Sequence, residues 1–147
     1  MTGKTIDQLS VGDSETFSKT VSESDIYQYA GITGDLNPAH IDKEYAGTTV
    51  FKDRIAHGML LGGFISTVIG TKLPGPGAIY REQQLRFKAP VYIGDTITAR
   101  VEVESLDYDK NKIVLVTTCT NQDGTRVVEG HAQIHPPRKE DIKKSKY

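Results

Sequence analysis

Asp35 and His40 fall five positions apart in the string TGDLNPAH, separated by Leu36, Asn37, Pro38 and Ala39. Proline fixes one φ angle and an asparagine side chain can hold a turn, so a carboxylate and an imidazole are presented together on stiff backbone. That pairing suits acid and base work, since a free imidazole titrates at about 6.5. The string also has a plainer reading, with Asp35 capping a turn and His40 a surface or half-buried histidine. A second feature lies close by: His57-Gly58 introduces an uncharged stretch, Gly58 to Thr71. If this stretch is a helix, its first turn carries unpaired N–H groups that can face a developing negative charge. Gly58 has no side chain to block that approach. Base, acid and oxyanion donor are then all available.

The elements that must position these groups divide into a helical, loop-rich first half and a strand-rich second half, an α+β pattern. Glu15 to Val21 alternates as a first short strand. Ser22, with Asp25 three residues on, is spaced as a capping box for a helix to about Gly31. TGDLNPAH reads as a loop, and Asp42 caps a short helix through Ala46. The stretch from Gly58 to Thr71 is too short to span a bilayer and suits a buried core helix. Its Gly58, Gly62, Gly63 and Gly70 weaken an isolated helix, so packing must stabilise it, with small residues allowing close approach. After Pro74-Gly75-Pro76-Gly77 come four candidate strands, Ala78 to Lys88, Asp95 to Ser105, Lys112 to Asn121 and Arg126 to His135. Gly94-Asp95, Asp109-Lys110-Asn111 and Asp123-Gly124 supply turns, which reads as an antiparallel meander. One face of that sheet must be covered by the apolar helix, the arrangement called a hot dog.

At this point the residues resemble a family. YAGITGDLNPAH at Tyr29 to His40, then Ala46, then HGML at His57 to Leu60, is similar to the hydratase 2 motif of the MaoC-like dehydratases, the (R)-specific enoyl-CoA hydratases. RFKAPVYIGD at Arg86 to Asp95 resembles the strand and turn after that family's central helix, and the similarity runs from about Ser10 to Ile134. The resemblance implies a hot-dog fold and syn addition of water to a trans-2-enoyl thioester, giving an (R)-3-hydroxyacyl product of the kind used in fatty acid metabolism and as a polyhydroxyalkanoate precursor. It puts the catalytic pair on Asp35 and His40, the oxyanion N–H on Gly58 and a conserved serine on Ser66. The thioester carrier is coenzyme A or an acyl carrier protein. No metal and no redox cofactor are implied, coenzyme A being part of the substrate. Single domains of this kind generally pair, and exposed sheet edges favour the same outcome, so a homodimer is expected. The rival readings are a hot-dog thioesterase and a non-catalytic acyl-thioester-binding module.

Weaker candidates surround this set. Gly58, Gly62, Ile65, Ser66 and Ile69 share a helical face, and Gly58, Ser66, Asn37, Ile65 and Ile69 are the expected substrate-binding residues; an apolar stripe is also ordinary core. His57 reads as a structural partner at the helix start. His131 and His135 share one side of a strand with no carboxylate or cysteine at a recognised metal spacing. Cys119 alternates inside a strand as an inert core thiol. Arg81, Arg86 and Lys88 can meet phosphates, although scattered basic residues on strands usually face solvent.

Composition narrows the partners. With 147 residues and 16.2 kDa there is room for one domain, expected over 1–135, with 136–147 a frayed polar tail. Lys plus Arg at 18 against Asp plus Glu at 19 gives a net charge of −1, which offers nothing to hold a nucleic-acid backbone. The N-terminus has no apolar stretch behind its lysine, so no secretory signal is expected. A single cysteine excludes an intramolecular disulfide and makes the cytoplasm the default compartment.

Overall fold

In the computed structural model, which describes residues 2–144, the chain runs β1 (Ser14–Thr20), α1 (Glu23–Thr33), α2 (Pro38–Ile41), α3 (Lys43–Thr48) and α4 (Gly58–Thr71), then β2 (Ile79–Phe87), β3 (Thr96–Asp107), β4 (Lys112–Thr120), β5 (Arg126–His135) and α5 (Lys139–Lys144). The strands form one antiparallel sheet in the order β1-β3-β4-β5-β2. Alternation along β3 and β4 sends Ile97, Ala99, Val101 and Val103, then Ile113, Leu115, Thr117 and Cys119, to a fully buried inner face. Across that face, over β3, β1 and β4, lies α4.

Helix α4 spans the uncharged stretch expected from sequence. Leu61, Phe64, Ile65, Val68 and Ile69 recur at three- and four-residue spacing and are its buried residues. Phe64 meets Phe17 of β1 edge to face, ring centroids 5.7 Å apart. Each such side chain taken from water contributes about 1.5–3 kcal/mol, which offsets the four glycines. Only two of those glycines are spaced for close approach: a β-carbon on Gly58 or Gly62 would meet Phe87 or Leu85, whereas Gly63 and Gly70 face open space.

The structure corrects the sequence reading in three places. The expected loop TGDLNPAH holds a helix: α1 runs on to Thr33, and α2 begins at Pro38. Proline suits the first helical position, where no N–H is needed, and Asn37 caps it by accepting from the Ala39 N–H at 3.1 Å. The four later strands are not a plain meander. β3-β4-β5 follow in turn, but β2 pairs with β5 at the far edge because residues 88–95 form a crossing segment rather than a hairpin, held by the bond from Ala56 N–H to the Val91 carbonyl. The described part of the expected tail carries α5, with Lys139 paired to Asp7 at 3.1 Å; residues 145–147 lie outside the described residues.

Candidate active site

Asp35, His40, His57 and Gly58 converge at the N-terminal end of α4. The α1 helix ends on Gly34 in the left-handed conformation, φ 81°, which turns the chain out and leaves Asp35 exposed. One oxygen of the Asp35 carboxylate accepts from the Asn37 N–H at 3.2 Å, and the Asp35 N–H donates to the Thr33 hydroxyl at 3.2 Å. Asn37 thus caps α2 and ties Asp35. His40, one turn further, is buried. Its Nδ1 lies 2.7 Å from the Ile55 carbonyl; a carbonyl only accepts, so Nδ1 carries the proton and Nε2 is the free nitrogen.

The segment before α4 is tied to both neighbours. Ile55 N–H donates to the Ala39 carbonyl, Tyr92 donates to the Phe51 carbonyl, and Arg54 reaches back to Glu23 at 2.6 Å and Tyr27 at 2.9 Å on α1. The Arg54 hydrogen bond, then that of Tyr27, holds the Glu23 carboxyl below its usual range. These ties seat His57 with 2% exposure. Its ring stacks on His40 with centroids 3.8 Å apart and is backed by Tyr29 at 4.6 Å. His57 Nε2 donates to the Asp35 main-chain carbonyl at 3.0 Å, leaving Nδ1 buried with no hydrogen-bond partner among the described residues.

A carboxylate oxygen of Asp35 and one ring nitrogen each of His40 and His57 lie within 4.8 Å of one another. Two hydrogen bonds of about 2.8 Å span that distance at an angle of roughly 118°, so one water can bridge Asp35 and a histidine. One nitrogen of each histidine already faces a main-chain carbonyl, which leaves each ring a single nitrogen for any further partner.

Beside the pair opens a cavity of about 440 Å³, lined by His40, Phe51, Ile55, Ala56, Gly58, Met59, Leu61, Phe87, Lys88, Ala89, Pro90, Val91 and Val128. Its lining is mostly apolar, with His40 and Lys88 the ionisable exceptions. Gly58 is the first residue of α4, and its N–H has no partner among the described residues. The cavity can therefore take an apolar chain attached to a carbonyl whose oxygen faces a backbone N–H.

The structure brings together Asp35, His40 and Gly58 but not the rest of the expected substrate residues. Ser66 is exposed, while Ile65 and Ile69 are buried in the core beneath α4; none of the three lines this cavity. Successive helical residues are about 100° apart, so Ser66 cannot share the face of Ile65. Asn37 turns its side chain to the helix cap. Lys88 reaches the cavity wall, whereas Arg86 lies in a groove on the outer sheet face with Arg126 and Glu129. His131 pairs with Glu104 at 3.7 Å and His135 with the Asn111 carbonyl at 2.7 Å, far apart in partners and role. Cys119 is buried, its thiol pushed up to about 12 by desolvation. His57, Phe51 and Phe87 are the site residues that sequence reasoning undervalued or missed. The HGML string was the available signal for His57.

Comparison with known proteins agrees with this arrangement. The chain is 56% identical over 131 residues to an (R)-specific enoyl-CoA hydratase of Rhodospirillum rubrum, covering 89% of this chain and 90% of that one. Its fold matches the unliganded R-hydratase PhaJ1 of Pseudomonas aeruginosa with a TM-score of 0.88 at 43% identity, covering 93% and 88%. It matches the (R)-hydratase of A. caviae involved in PHA biosynthesis with a TM-score of 0.85 at 41% identity, covering 88% and 98%. The model of the MaoC like domain matches residues 10–124. With the site assembled from the loop and helix start that its motif spans, the chain belongs to the MaoC-like domain family.

Proposed function

We propose that the protein is an (R)-specific enoyl-CoA hydratase, adding water across the double bond of a trans-2-enoyl thioester and, in reverse, dehydrating the (R)-3-hydroxyacyl thioester. The observation that carries this reading is the closeness of the Asp35 carboxylate and a ring nitrogen of His40 beside an apolar cavity that His40 and Gly58 line. The hydratase activity of its relatives supports it.

In this reading the thioester carbonyl lies against the Gly58 N–H, and the bridging water sits between Asp35 and His40. As the water oxygen bonds to C3, the π electrons move toward C2 and the thioester oxygen, where the N–H and the end of the α4 dipole stabilise them. Water gives one proton to the pair, and C2 takes one from it. Atoms balance with no further reactant, and no metal or redox cofactor is used. With both groups sharing one water beside the cavity, oxygen and hydrogen add to the same face.

Three finer statements belong to the same proposal. The protein works as a homodimer: β2 is an edge strand whose Ile79 is 57% exposed, apolar surface that a second chain would cover. It works in the cytoplasm, a placement supported by its lone cysteine. Its product is a precursor for polyhydroxyalkanoate, a reading supported by its likeness to the A. caviae (R)-hydratase, which is involved in PHA biosynthesis. The test is a hydration assay with crotonyl-CoA, octenoyl-CoA and the matching carrier-protein thioesters. Loss of the enoyl group without free thiol supports the hydratase; free thiol with no hydroxyacyl product identifies a thioesterase, and binding without turnover a non-catalytic module. Light scattering at assay concentration checks the dimer, and a fully active monomer contradicts it.

A further inference from the structure

His57 touches both members of the proposed catalytic pair, and its peptide bond leads into the third group, Gly58. Its Nε2–H bonds the main-chain carbonyl of Asp35 at 3.0 Å, across 22 residues of chain. Its ring stacks on that of His40 with centroids 3.8 Å apart and lies 4.6 Å from that of Tyr29, so it packs against two rings. It caps α4 without using its side chain there. Helix capping therefore does not explain a histidine at this position.

The unpaired Nδ1 sharpens the point. A buried polar nitrogen without a partner costs roughly 1–3 kcal/mol, a penalty that phenylalanine or leucine in the same space would avoid. What histidine adds over an apolar ring is the Nε2–H alone, and its target is the backbone of Asp35. Asp35 is otherwise exposed on a turn that follows a left-handed glycine, with only short local bonds to Thr33 and Asn37. An exposed turn tied only to itself can shift by about 1 Å, and displacements of that size cost about 10²-fold in rate when they move a reacting group.

We infer that His57 is a positioning residue for hydration: its Nε2–H fixes the Asp35 turn and its ring sets the plane of His40, so that carboxylate and imidazole hold the same water. This rests on the proposed hydratase reading. It requires a proton on Nε2 of His57, and it assigns no contact between His57 and substrate.

The test uses the full-length protein with crotonyl-CoA. His57→Phe keeps the stack and removes the donor; His57→Gln keeps a donor near the Nε2 place and removes the ring. For the folded His57→Phe protein the expected result is a fall in kcat of about 10- to 100-fold with KM changed less than about threefold. His57→Gln is expected to recover part of that loss. In the Asp35→Asn background His57→Phe should add almost nothing, because a residue acting through Asp35 has no remaining target. Full activity of folded His57→Phe, or a loss that multiplies undiminished on Asp35→Asn, overturns the inference. Should His57→Phe not fold, Tyr29→Leu, which removes a ring packed 4.6 Å from that of His57, is expected to lower kcat at constant KM; failure of both to fold makes His57 a core residue and overturns it too. A wild-type protein inactive on every enoyl thioester would instead overturn the hydratase reading.

Discussion

Gly58→Ala separates a glycine needed for chemistry from one that merely opens a helix. A β-carbon on Gly58 would stand 2.7 Å from Cε1 and 2.8 Å from Cδ1 of Phe87. Carbon atoms in contact sit about 3.5–4.0 Å apart, so the ring must retreat by roughly 1 Å. Phe87 is 54% exposed and can turn at small cost. Alanine in place of glycine also stabilises a helix by about 0.5–1 kcal/mol. The two effects nearly cancel, and Tm should stay within about 4 °C of wild type. Activity should not. Gly58 and Phe87 both line the cavity, so the new methyl and the displaced ring intrude where a thioester oxygen would reach the Gly58 N–H. Loss of one oxyanion donor costs about 10²–10³ in kcat, so kcat/KM for crotonyl-CoA should fall by about 10²-fold. Enoyl loss followed by absorbance, beside a thermal melt of the same preparation, reads both quantities. Near-wild-type turnover with a raised Tm would refute the oxyanion role and leave Gly58 as a helix start.

Other consequences follow from burial. Ile69 is 1% exposed within the core, so Ile69→Ala should cost about 2–5 kcal/mol by denaturant titration. Unchanged stability with a raised preference for octenoyl-CoA over crotonyl-CoA would instead put Ile69 on an acyl tunnel. The Cys119 thiol, pushed up to about 12 by burial, should resist an aromatic disulfide reagent at pH 8 until the protein unfolds; stoichiometric labelling of the native protein would contradict that burial.

What was legible in the residues is mostly what is local. The Ser22–Asp25 capping box forms as its spacing implies, with both reciprocal bonds near 3 Å, because cap and partner are three residues apart. Helix α4 matches its uncharged stretch, and the turns at Asp109-Lys110-Asn111 and Asp123-Gly124 place β3, β4 and β5 side by side. The placement of β2 was not legible. Its pairing with β5 is decided by the crossing segment 88–95, which packs Val91 against the core and bonds Ala56, a contact with no periodic signal. The same division holds at the site. Asp35 and His40 share one short, stiff string and could be read together. The seat of His57 arises only when α1, α2 and the start of α4 meet, so its spacing pointed to nothing beyond a helix start. The helical face drawn through Ile65, Ser66 and Ile69 misled because it said which residues align, not which way the sheet lies.

The most direct test of the central claim is hydration of crotonyl-CoA in D2O by the wild-type protein and by Asp35→Asn, with the configuration at C2 and C3 read by NMR and chiral analysis. One acid–base pair sharing one water predicts an (R)-3-hydroxybutyryl product with a single deuterium epimer at C2, added to the same face as the hydroxyl. It also predicts a rate about 10²- to 10⁴-fold lower in the folded variant. A mixture of C2 epimers, the opposite face, or an Asp35→Asn protein that turns over as fast as wild type would contradict it.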